Sequence, residues 1–313
     1  MASLAFFAVL AVMDIDTHQR RNRRLTAVVL AFVFLLFFLV IFAVGTILGA
    51  SPVFTGILAV VVTSVYILVT MSTSVDRILR ASQARPANPQ VREEKLLLYR
   101  VEEMAIAASM PMPKVYVQPS RDINAFAAGL RPEDAVVCVT TGALQQLDQE
   151  ELEGVLAHEM SHIRNRDVRL ATITVGVVGA LAMIAEIGIR ILWFGGGNRG
   201  SGRRGGGGAH PILIVVALLA LVLAPILSRL TYLALSRTRE YLADATGAQF
   251  TRNPEGLARA LEKIRGDVPD DPVGSRTVAS LYFANPYTRL SADNVLSTHP
   301  PLEKRIARLR GEG

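Results

Sequence analysis

From Leu25 to Leu48 the chain carries no charged residue, and as a helix rising about 1.5 Å per residue this stretch is long enough to cross a hydrocarbon core of roughly 30 Å. After the uncharged turn Gly49-Ala50-Ser51-Pro52, a second apolar run from Phe54 to Met71 reaches the lower end of the spanning range. Together they read as a transmembrane hairpin. Arg20, Arg21, Arg23 and Arg24 precede it, Arg77, Arg80 and Arg85 follow it, and the turn is neutral. The positive-inside bias then puts both ends of the hairpin in the cytoplasm.

Composition agrees with a membrane protein. The 313 residues are 51% hydrophobic and only 19% charged, with a mean hydropathy of +0.36. The formal charge of +6 sits at membrane flanks without interleaved aromatics, which argues against a nucleic-acid partner and for the lipid bilayer. A single cysteine, Cys138, rules out an internal disulfide and suits a reducing compartment. The apolar residues before Met13 are too short to span, and their basic cluster follows them, the reverse of a signal peptide.

Two later apolar runs, Leu170 to Trp193 and Ile212 to Leu235, are less clean. The third run holds Glu186 and Arg190 four apart, which reads as a local ion pair, and offers Gly176 and Ala180 for close helix packing. The fourth contains Pro225, a kink, and Arg229. Between them lies the glycine- and arginine-rich stretch 195–208. Its Gly200 to Gly205 segment matches a dinucleotide fingerprint only formally, because no βαβ unit flanks it, so it reads as a linker. Its arginines would lie outside if both runs cross, against the positive-inside bias, and a re-entrant hairpin is the alternative. The chain thus divides into a tail and hairpin (1–85), a first soluble half (86–169), a second membrane hairpin (170–235) and a second soluble half (236–313).

In the first soluble half, Arg92 to Met110 is expected to be a helix with Leu96, Leu97, Val101, Met104 and Ala108 near one face. Lys114 to Gln118, Asn124 to Ala128 and Ala135 to Thr140 read as three short strands in a meander. Another helix follows, with Asp148 and Glu151 at capping-box spacing.

That helix carries His158-Glu159-Met160-Ser161-His162. Residues four apart share a helix face, so two imidazoles can converge on one Zn²⁺ while Glu159 can reach an attacking water. With 5 histidines in the chain, chance supplies roughly 0.004 such matches, so two incidental histidines on a solvated helix are a poor explanation. A hydrolytic site needs a third protein ligand. His18, His210 and His299 are candidates; the most suggestive is Glu240, which shares a helix face with Asp244 at i, i+4. Asp244 could then accept a hydrogen bond from a ligating histidine and orient it. Acids four apart are common on solvated helices, so the pair gains weight only beside the histidines.

HEMSHI (158–163), SRTREYLAD (236–244), NAFAAG (124–129) and STHPPLEKRI (297–306) together resemble the HtpX family of membrane-integrated zinc metalloproteases, related to the CAAX prenyl proteases. The resemblance covers almost the whole chain; the glycine-arginine linker has no match in it. It implies His158, His162 and Glu240 as ligands of one Zn²⁺ per chain and Glu159 as catalytic base. It further implies an edge strand around Asn124, Ala125 and Phe126 that receives substrate backbone, and His299 as an auxiliary catalytic residue. Without it, His299 reads as a helix-entry residue ahead of Pro300 and Pro301.

The expected fold is α+β: an integral membrane protein, mostly helical, with about four transmembrane helices and a small zincin-type domain containing a short β-sheet. The expected function is a cell-membrane endopeptidase with a cytoplasmic catalytic domain, acting on protein or peptide substrates, above all misfolded membrane proteins. Glu159 would take the proton of the attacking water and return it to the leaving amine, while His299 or an amide near Asn124 stabilises the oxyanion. A prenyl-protein protease, expected to have more spans, and a non-catalytic membrane scaffold with a structural metal are the rivals. Because the histidines precede runs three and four and Glu240 follows them, those runs must cross the membrane an even number of times.

Overall fold

A computed structural model describes residues 2–47, 49–178, 237–267, 281–284 and 300–312. Helix α1 spans Ala2–Ile47 and α2 spans Pro52–Ala81. Within them Arg20–Thr46 and Pro52–Ala81 are long and apolar enough to cross a membrane. The turn between them is capped as its residues suggest. Ser51 accepts from the Phe54 N–H and Pro52 occupies the first helical turn, where its missing N–H leaves no orphan.

The two helices pack antiparallel, with Phe37 stacked on Tyr66 at 4.4 Å between ring centroids. Their outer faces are uncovered. Val53, Phe54, Ile57 and Leu68 on α2, and Val28 and Leu35 on α1, are each more than half exposed. Such a continuous apolar surface is what lipid contact requires.

Helix α6, described over 167–178, is the start of the third apolar run. A Cβ placed on Gly176 would stand 3.1 Å from Ser74 Cβ, so α6 and α2 approach closely at that glycine, as its position suggests. The remainder of run three with Glu186 and Arg190, the 195–208 linker, and run four with Pro225 and Arg229 lie outside the described residues. Of the four expected spans, the two N-terminal ones are therefore seen as candidate membrane helices.

The soluble halves build one small sheet covered by helices. Its strands are β1 (Arg85–Pro86), β2 (Lys114–Gln118), β3 (Ala125–Ala128) and β4 (Val136–Thr140), in the order β1-β2-β4-β3. The expected meander is not formed. β2 pairs parallel with β4, and β3 pairs antiparallel on the far side of β4. Both β3 and β4 are buried along their whole length, and the outer edge of β3 is met by the distant segment 281–284, with Phe283 N–H donating to Ala125 O at 2.8 Å, so β4 is left to pair on both sides.

Helix α3 (Arg92–Ala107) ends before Met110 because Ser109 turns into the left-handed region at φ 52° and the Met110 N–H bonds back to Ala105 O. Leu97, Val101, Met104 and Ala108 of its expected face are buried, while Leu96 is exposed. After α4 (Thr141–Gln146) comes α5 (Gln149–Arg164), opened by the full capping box: Glu151 N–H to Asp148 at 3.0 Å and Asp148 N–H to Glu151 at 2.8 Å. Then α7 (Arg237–Thr251), α8 (Pro254–Gly266) and α9 (Leu302–Arg310) close over α5. The core between α5, α8 and the sheet is built from Val137, Val139, Val155, Leu156, Met160, Leu257 and Leu261.

Candidate metal centre

One turn of α5 separates His158 from His162, and both rings face α7. Their Nε2 atoms are 3.1 Å apart with the ring planes at 87°. Glu240 enters from the first turn of α7, with Oε2 at 3.8 Å from His158 Nε2 and Oε1 at 3.6 Å from His162 Nε2. The helices can come this close because residue 247 is glycine: a Cβ there would meet the His158 backbone nitrogen at 3.0 Å.

What fits between the two nitrogens follows from their other ring atoms. His158 Nδ1 lies 2.9 Å from Asp244 Oδ1, and His162 Nδ1 lies 3.2 Å from Asp167 Oδ2. A carboxylate only accepts, so in the ligating tautomer each Nδ1 carries its proton toward a carboxylate and leaves Nε2 free to ligate; Arg305 Nη2 also stands 3.3 Å from His158 Nδ1. Both Nε2 atoms, 3.1 Å apart, would then present their lone pairs to an ion held between them. With Glu240 as a third anionic donor the set suits a divalent ion: tetrahedral zinc with bonds near 2.0–2.2 Å holds its ligand atoms roughly 3.3–3.6 Å apart, and the three separations here bracket that range. The three side chains place ligand atoms all within 4.8 Å of one another.

The surrounding charges are fixed by a residue that the sequence did not single out. Arg305 on α9 is fully buried and grips Asp244 with both arms, Nε to Oδ2 at 2.9 Å and Nη2 to Oδ1 at 2.6 Å. Its Nη1 lies 3.5 Å from Glu240 Oε2, and its guanidinium stacks over Phe283. Burial alone would raise the Asp244 carboxyl, but Arg305 and His158 outweigh it and hold it below the usual range. Burial and the charge of Arg305 push His158 down. Burial also opposes protonation of His162, yet Asp167 and Glu240 overcome it and push that ring up. The centre thus favours one positive charge at the imidazole pair.

Glu159 is buried, lines the same cleft, and accepts from the Ala127 N–H at the outer edge of β3. Burial pushes its carboxyl up to about 7, against the lowering influence of His162. The cleft is walled by Ala127, Val168, Ala171, Leu281, Tyr282 and Phe283.

Asn124, Ala125 and Phe126 face the chain's own residues 282–284. Asn124 Nδ2 donates to Ala284 O at 2.7 Å, Phe283 N–H donates to Ala125 O at 2.8 Å, and Phe126 meets Tyr282 edge-on. They hold a wall of the cleft, and Ala127 is the β3 residue that lines it. His299 and His210 lie outside the described residues. Asp167, Phe283 and Arg305 were not foreseen. For Arg305 a signal existed, since Leu302, Arg305, Ile306 and Leu309 share the helical spacing of a buried face.

The sequence profile of peptidase family M48 matches residues 92–313. Over most of its length the chain is similar to proteins named protease HtpX homolog. It is 39% identical to that of Streptococcus uberis, covering 93% of this chain and 97% of the relative. It is 41% identical to that of Ligilactobacillus salivarius, covering 92% and 97%. Among solved structures, Ste24p of S. mikatae matches at 19% identity with a TM-score of 0.48, covering 93% of this chain and 66% of that one. The family match favours an enzyme over a scaffold with a structural metal. With the histidine and glutamate cluster in place and two helices fit to cross a membrane, this chain belongs to peptidase family M48 and is a membrane metallopeptidase.

Proposed function

We propose that the chain is a zinc endopeptidase that cuts misfolded membrane proteins at the cytoplasmic face of a cell membrane. The observation that carries the metal reading is the pair of Nε2 atoms at 3.1 Å, each on a ring whose Nδ1 faces a carboxylate. Bound there, zinc would supply a Lewis acid for the scissile carbonyl and for the attacking water. His158, His162 and Glu240 would hold the ion, and Asp244 and Asp167 fix the two rings. Glu159 takes the proton from the attacking water and hands it to the departing amine.

The hydrogen bond from Ala127 keeps that base beside β3, in the cleft where a substrate peptide bond would be held. Asn124, Ala125 and Phe126 contribute by holding the 282–284 wall of this binding cleft. An auxiliary role for His299 toward the oxyanion is supported by its place in sequence, six residues before Arg305, whose guanidinium reaches Asp244 behind the ligands. Arginines at both ends of the N-terminal hairpin support the cytoplasmic orientation. Uncovered apolar helix faces beside the catalytic domain support membrane-embedded substrates.

Glu159→Gln in the full-length protein tests the assignment. It is expected to retain zinc and to lose cleavage of a reporter membrane protein by about 10²- to 10⁴-fold, the usual worth of a general base. Cleavage at the wild-type rate by this variant would overturn it.

A further inference from the structure

Asp167 opens α6, and its carboxylate is approached from three other helices. Oδ2 faces His162 Nδ1 on α5 at 3.2 Å. Oδ1 accepts from Asn22 Nδ2 on α1 at 2.6 Å, and Arg239 Nε on α7 stands 3.7 Å from the same oxygen. Asn22 is only 2% exposed although Arg20, Arg21, Arg23 and Arg24 flank it in sequence. It lies at the charged end of the first candidate span and outside the 92–313 stretch that carries the peptidase profile.

Burying an amide inside a helix is unfavourable unless it is hydrogen-bonded, and Asn22 finds its bond on this carboxylate. Two and three turns further along α1, Val29 and Val33 pack with Leu170 and Ile173, so α1 and α6 are fastened together beside the contact.

The two carboxylates behind the histidines are anchored alike. Asp244 orients His158 and is itself locked by Arg305 from α9. Asp167 orients His162, and a carboxylate held by one oxygen alone can still turn about its own bond. The bond from Asn22 at 2.6 Å, with Arg239 beside it at the longer distance of 3.7 Å, holds the second oxygen and with it the direction from which His162 is held.

We propose that Asn22 and Asp167 are positioning residues, through which the first membrane helix sets the orientation of His162 in the metal centre. The inference rests on the zinc reading above. Its consequence is that the metal site is completed by a side chain from the membrane hairpin, although all three ligands come from the soluble halves.

The test uses the full chain in detergent. Zn²⁺ affinity is measured by chelator competition, and ligand geometry is read from the visible spectrum of the Co²⁺-substituted protein. Asp167→Ala is expected to weaken Zn²⁺ binding about 10- to 100-fold, the range for outer partners of metal ligands, and Asn22→Ala about tenfold, each with shifted Co²⁺ bands. Asp167→Asn is expected to keep most of the affinity, because Asn22 can turn its amide over and accept from the new one; its Oδ1 has no partner among the described residues. Val29→Ala disturbs the same helix contact away from the carboxylate and is expected to leave both readouts unchanged.

Wild-type affinity and an unshifted spectrum in Asn22→Ala would overturn the inference and leave the zinc reading standing. So would an equal loss in Val29→Ala, or equal affinities in Asp167→Ala and Asp167→Asn, a comparison that leaves α1 untouched. A wild-type protein that binds neither ion would overturn both.

Discussion

Arg305 is the residue on which the electrostatics of the centre turn. It is a fully buried cation among Asp244, Glu240 and Glu159, and with His158 it holds the Asp244 carboxyl below the usual range against burial. Removing one partner of a buried ion pair leaves the other uncompensated, so Arg305→Ala is expected to destabilise the protein by about 3–5 kcal/mol. Arg305→Lys keeps the charge but cannot make the two-armed contact and should fall between, as thermal unfolding in detergent would show. His158, Glu159 and His162 could be read from sequence as candidates because helical spacing writes them as a local pattern, whereas Glu240 and Asp244 gained weight only beside them. Arg305, Asp167 and Asn22 could not be read so directly, because an arginine, aspartate or asparagine spells the same whether it is solvated or buried against a distant partner. Asn22 in particular sits in an arginine cluster that is fully explained by the membrane flank.

At the scale of elements, the histidines depend on how α5 begins. Asp148 and Glu151 satisfy two of its first N–H groups, and Glu151 also receives Lys263 from α8 at 2.6 Å. Asp148→Ala is expected to lower stability by about 1 kcal/mol, the usual value of an N-cap. The effect has a pH signature. The backbone N–H of Glu151 holds the Asp148 carboxyl below its ordinary value, so the stabilisation is fully present above the unfolded pKa and disappears as pH falls through the lower folded one. The melting difference between wild type and Asp148→Ala should therefore be constant near neutrality and vanish in acid; a difference that persists there would assign it to something other than the cap. Capping and helix periodicity were legible because they are written within a few residues. The strand order was not, because β3 and β4 are both apolar and fully buried, and the edge position of β3 involves the distant residues 282–284.

At the scale of the whole molecule, two soluble halves separated by two apolar runs supply one centre, with His158 and His162 from the first and Glu240, Asp244 and Arg305 from the second. The sequence already required an even number of crossings between them, and the proximity of Glu240 to both histidines agrees with that requirement. A topology reporter inserted in the 195–208 linker is expected to report the outside face if both runs span; a cytoplasmic signal would make them a re-entrant pair. The central claim, that the halves share a single metal, is tested most directly by the zinc content of purified full-length wild type and Glu240→Ala. The expected result is one zinc per wild-type chain and a large loss in Glu240→Ala under the same wash. Equal zinc in the two proteins, or none in the wild type, would contradict it.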